Sequence, residues 1–255
     1  MPDLFFYKYR AVDDEHLDRT SRIFTHNEVY FPNALEFNDP FDSKHAYDFG
    51  GTDKEVRDYF DDILKRSAPS MTRSERRKWI ATMASRSRLK TDEVHESLHN
   101  AQTTLLPQIG IFSLTKNPNN ILMWSHYANS HEGFCLEFTE ANAFIARSQE
   151  IRYSDTYPVI NPIQQSDKDR LFRALLTKSS HWEYEKEWRI LDYENGPGIK
   201  HFPPEILHGV IFGCRMTEQN KGRIRGWCER RAQPVKFYQA KERLREYALD
   251  IIPIY

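Results

Sequence analysis

Two periodicities divide the chain. Short aromatic runs with period two predict strands at residues 4–10 (LFFYKYR, ending in two basic residues separated by Tyr9), 28–32, 110–115, 134–138, 151–154, 209–214, 235–240 and 249–255. Residues 11–25, 121–128, 167–179 and 217–231 read as helices. From Thr52 to Leu106 the pattern changes: Val56, Tyr59, Phe60, Ile63 and Leu64, then Trp79, Ile80 and Met83, recur at helical spacing. Pro69 breaks this run, and Thr91-Asp92-Glu93 opens a third helix. The expectation is one α+β domain over residues 1–255, with a mixed, mainly antiparallel β core and a helical insertion or cap at 52–106.

Residues 181–191 (HWEYEKEWRIL) combine aromatic and acidic positions. As a strand they place Glu183, Glu185, Glu187, Arg189 and Leu191 on one face and Trp182, Tyr184, Lys186, Trp188 and Ile190 on the other. Three carboxylates on one face repel, so the face is either solvated or holds something that favours negative charge. Asn38-Asp39-Pro40 is a turn signal between Phe37 and Phe41, two rings expected to bury. The turn also offers Asn38, Asp39 and Asp42 to a ligand.

Composition narrows the function classes. Among 255 residues, 36 are basic and 37 acidic, a formal net charge of −1 that argues against a broad electrostatic binder of nucleic acid. A local patch remains open: Arg73, Arg76, Arg77 and Lys78, continued by Arg86, Arg88 and Lys90, form a basic stripe suited to a nucleic-acid partner. Three scattered cysteines suggest a reducing compartment. With neither a signal-peptide pattern nor a membrane-length apolar run, the expectation is a cytoplasmic protein. His126, His131 and Cys135 match no common zinc spacing, so no metal is expected there. Trp124, His126 and Tyr127 could line a polar pocket. Alternatively, Asp39, Asp42, Glu185, Glu187 and His126 could serve a magnesium-dependent nuclease.

Several blocks carry a resemblance. Tyr7-Lys8-Tyr9-Arg10, residues 37–42 (FNDPFD), Phe112-Ser113-Leu114, residues 123–128 (MWSHYA), Glu185-x-Glu187-Trp188-Arg189 and residues 210–215 (VIFGCR) together resemble a bacterial domain-of-unknown-function family, number 2971. A more distant resemblance is to the ADP-ribosyltransferases, through a basic strand, a Ser-x-Thr strand and a Glu-x-Glu strand in that order. It implies an ADP-ribosyltransferase-like core, NAD as cofactor, and transfer of ADP-ribose after cleavage of the nicotinamide bond. The acceptor would be a nucleobase or nucleic acid, in a toxin or phage-defence setting. Arg10 would hold the phosphates, and Ser113 and Thr115 would shape the nicotinamide pocket. Glu187 would stabilise the oxocarbenium-like transition state while Glu185 orients the acceptor. Tyr9, Trp124, His126, Tyr127 and Asn38 would complete the cofactor contacts. All of this requires Arg10 and Glu187 to line one cavity. A non-enzymatic nucleotide-binding sensor is the third reading.

Overall fold

The structure is a computed structural model and describes residues 5–12, 14–83 and 106–254. The helix start expected at Thr91, and Arg86, Arg88 and Lys90 of the basic stripe, lie outside them. The chain divides into two compact units, one of residues 1–36, 109–151 and 181–255, the other of residues 37–108 and 152–180. Among the described residues no helix is long and apolar enough to cross a membrane.

In the first unit the strands are β1 (Phe5–Arg10), β2 (Glu28–Phe31), β3 (Gly110–Thr115), β4 (Phe134–Thr139), β5 (Gln149–Glu150), β6 (Glu187–Asp192), β7 (Gly198–His201), β8 (Leu207–Phe212), β9 (Lys236–Glu242) and β10 (Leu249–Ile254). Eight of them form one sheet in the order β10-β9-β8-β4-β1-β3-β6-β5. Neighbours run antiparallel except β8 and β9, which are parallel. Strands β2 and β7 pair separately. With the helices this is the mixed, mainly antiparallel α+β fold that the periodicities predict.

Strand alternation gives the sheet two apolar faces. Phe6, Phe112, Leu114, Phe134, Leu136, Phe138, Ile190, Val210 and Phe212 pack on one side against Ile23 and Phe24 of the Leu17–Thr25 helix and Ile224 of the Glu218–Cys228 helix. Each such fully buried side chain contributes about 1.5–3 kcal/mol. Tyr9, Cys135, Ile211 and Ala240 project to the other side, against Met123, Trp124 and Ala128. The Ile121–Tyr127 helix starts where Asn120 accepts the Leu122 and Met123 amides.

In the second unit, Thr52 and Glu55 form a reciprocal capping box at the start of the Asp53–Ser67 helix. Val56, Phe60 and Leu64 are spaced four apart on its buried stripe and pack with Ile80 of the Arg73–Met83 helix.

Three expectations are corrected. Residues 181–191 are not one strand: a 3-10 turn spans Ser180–Glu185, Lys186 takes a left-handed φ of 45°, and β6 begins at Glu187. The turn is tied down by Asn120, whose Nδ2 donates to the Tyr184 carbonyl, and by the Thr115 hydroxyl, which donates to the Glu185 carbonyl. These tertiary bonds outweigh the β preference of Trp182 and Tyr184. The helix expected at 167–179 ends at Leu175, and Thr177–Ser179 pairs as a strand with Arg152–Ser154. Phe41 does not bury: it is 60% exposed, with Lys44 over its ring.

Candidate functional site

The acidic stretch forms a closed network rather than a cleft. Glu187 and Arg189 stand two apart on β6, hence on one face, and Arg189 Nε and Nη2 reach the Glu187 carboxylate at 2.7 and 3.1 Å. Both side chains are buried. The buried carboxylate of Glu185 accepts the Tyr127 hydroxyl at 2.6 Å, and burial, followed by the nearby Glu185 charge, pushes the Tyr127 phenol up. Thr115 lies opposite Glu187, and Ser113 opposite Arg189. The structure brings Glu187, Ser113 and Thr115 together around the internal Arg189 guanidinium, and joins Glu185 to Thr115 and Tyr127.

Two of the aromatic residues assigned to the cofactor belong to the core. Trp124 is fully buried, its indole N–H donates to the Pro118 carbonyl at 2.9 Å, and its ring meets Tyr9 edge-on at 5.1 Å. The Tyr9 hydroxyl donates to the Asn117 carbonyl at 2.7 Å. Both are core residues, which corrects their expected place among the cofactor contacts. His126 is exposed, edge-on to Trp182. Asn38 is exposed on a loop of the second unit, where Asp39 accepts the Phe41 amide. Among the described residues no group of three or more His, Cys, Asp or Glu side chains is placed to hold a metal. In the basic stripe Arg73, Arg77 and Lys78 are exposed, whereas Arg76 is held by Asp61 and the Met71 carbonyl.

Arg10 is the decisive correction. Tyr7 pairs with Thr115, and Thr115 with Glu187, so these three share a face. Arg10 lies three residues beyond Tyr7 on the same strand and points the opposite way. Arg10 and Glu187 therefore leave the sheet on opposite sides.

On its own side Arg10 lines a cavity of about 370 Å³. The apolar walls are Ile23, Val29, Phe112, Leu136 and Ile199, and Tyr30 adds a ring. Among the described residues that line it, Lys8, Arg10, Arg19 and Arg22 accompany Asp18 and Glu28, four cations with two carboxylates. Glu28 is consumed by Arg22, which donates through Nε and Nη2 at 2.6 Å each. The Arg19 guanidinium lies over the Tyr30 ring at 4.2 Å. No ion-pair or hydrogen-bond partner meets the Arg10 guanidinium among the described residues. Burial, and then repulsion from Arg19, pulls its pKa below the ordinary value. Sequence reading selected Arg10 but missed Arg19, Arg22, Glu28 and Tyr30. A signal existed: Asp18, Arg19 and Arg22 sit at i, i+1 and i+4 at the polar edge of an amphipathic helix.

A family model described as a protein of unknown function (DUF2971) matches residues 123–190. The resemblance expected from the sequence blocks is thus found over the stretch that holds Tyr127, Glu185, Glu187 and Arg189. Of the residues lining the Arg10 cavity, the match includes only Leu136. No curated protein and no solved structure matches the chain.

Proposed function

We propose that this chain binds a phosphate-bearing small molecule in the cavity beside Arg10 and acts as a ligand-binding module. The observation that carries the reading is a half-buried guanidinium, without a carboxylate partner among the described residues, that lines a cavity in which the described cations outnumber the carboxylates. Burying such a cation is costly until an anion meets it. A phosphate oxygen accepting two N–H groups from a planar guanidinium supplies strong charge-assisted hydrogen bonds.

NAD-dependent glycosyl transfer fits these residues poorly. That chemistry needs a carboxylate near the ribose and a guanidinium on the phosphates, and here the two groups leave opposite faces of one sheet. Glu187 is moreover already neutralised by Arg189.

The test is calorimetric titration of the full chain with a panel of phosphorylated small molecules, beside Arg10→Met. Loss of a charge-assisted contact weakens binding by roughly ten- to a hundredfold. Equal affinity in both proteins, or no binding by any phosphorylated probe, overturns the reading.

A further inference from the structure

We infer that the ligand is a nucleoside monophosphate, with its phosphate on Arg10 and its base stacked on Arg19; this rests on the phosphate-binding reading of the same cavity. Three observations limit the ligand. The first is size: about 370 Å³ lies near the lower end of the roughly 300–1,000 Å³ spanned by small-molecule pockets. It suits one nucleotide, whereas a dinucleotide carries a second nucleoside that has no place there.

The second is charge. Both Glu28 oxygens hold Arg22, and Lys8 sits over the Phe112 ring at 5.1 Å. Arg10 is then the guanidinium left to coordinate an anion, while the Asp18 carboxylate disfavours a second phosphate.

The third is a flat surface. Arg19 is exposed, and one side of its guanidinium carbon is covered by the Tyr30 ring at 4.2 Å. Its other side is a platform for a planar ring, since guanidinium groups stack on rings as well as pairing with anions. The hydrocarbon of Ile23, Val29 and Leu136 also lines the cavity and offers no polar group to a phosphate.

The experiment is isothermal titration of the full chain with AMP, GMP, CMP and UMP, with the corresponding nucleosides, with ribose 5-phosphate and with NAD. Arg19→Ala and Arg19→Lys are titrated in parallel. Arg19 is on the surface, so neither change threatens the fold. At least one monophosphate is expected to bind about tenfold or more tighter than both its nucleoside and ribose 5-phosphate. NAD is expected to bind more weakly than that monophosphate. Both Arg19 variants lose the advantage over ribose 5-phosphate, and Arg19→Lys, which keeps the charge, separates the loss of stacking from the loss of charge. If ribose 5-phosphate binds as tightly as every nucleotide, or the advantage survives in both variants, the nucleotide assignment fails and phosphate binding stands. If no phosphorylated probe binds in an Arg10-dependent manner, both fail.

Discussion

Arg10 and Glu137 illustrate two ways a charge is held inside this protein. The Arg10 guanidinium is desolvated and repelled by Arg19, with its compensation left to a ligand. Removing it should therefore stabilise the empty protein. Arg10→Met is expected to raise the urea unfolding free energy by about 1 kcal/mol or more in phosphate-free buffer. The same change should abolish stabilisation by added ligand, a linkage that thermal melts at graded ligand concentration would display. Glu137 is buried on the opposite face. Its Oε2 accepts the Tyr7 hydroxyl at 3.1 Å, and Oε1 has no hydrogen-bond donor among the described residues. Lys236, His208 and Tyr238 also surround it, yet burial dominates and raises its pKa above 4.5. A carboxyl raised in the folded state favours folding while protonated. That contribution is complete below the unfolded value and is lost as pH rises through the folded value. Glu137→Gln should match wild type in urea midpoint at about pH 4 and exceed it at about pH 7. A constant difference across that range would contradict the assignment.

At the scale of elements, the ends of β1, β4 and β8 are locked by backbone approach. A Cβ at Gly133 would stand 2.2 Å from the Arg10 carbonyl oxygen, and one at Gly213 would stand 2.1 Å from that of His131. The Gly213 amide donates to the Gly133 carbonyl at 2.9 Å, so the two glycines fix one junction. The opposing atoms are main chain and cannot rotate away. Gly133→Ala should cost roughly 2–4 kcal/mol by chemical denaturation and weaken ligand binding, because it displaces the strand end that carries Arg10. The turn from Tyr184 to Glu187 is governed in the same way, by neighbours. Its period-two alternation of aromatic and acidic residues matches a strand, but Asn120, Thr115 and Tyr127 supply bonds that hold Glu185 in a 3-10 turn.

At the scale of the whole first unit, the sheet keeps two kinds of chemistry apart. One face carries the buried Glu187–Arg189 pair; the other carries the Arg10 cavity. Glu187→Gln leaves Arg189 buried with a neutral partner, and breaking such a pair from one side costs about 3 kcal/mol. The variant should melt earlier while binding the ligand of the Arg10 cavity within about twofold of wild type, as titration below the melting range would establish. A large loss of affinity in a folded Glu187→Gln protein would mean that the two faces are coupled.

Alternation and helical spacing in the chain were enough to define most strands, the helices at residues 53–67 and 73–83, and the α+β class, because burial of one face follows a fixed period in each element. They also brought Glu185, Glu187, Ser113, Thr115 and Tyr127 to attention, and those five do converge. Which groups share a cavity is a different kind of fact. It depends on strand order and register, and those are set by pairing between segments far apart in the chain. Tyr7 opposite Thr115, and Thr115 opposite Glu187, placed Arg10 behind the sheet. A single step of three along β1 reversed its direction, and so Arg19, Arg22, Glu28 and Tyr30, rather than the acidic stretch, became its neighbours.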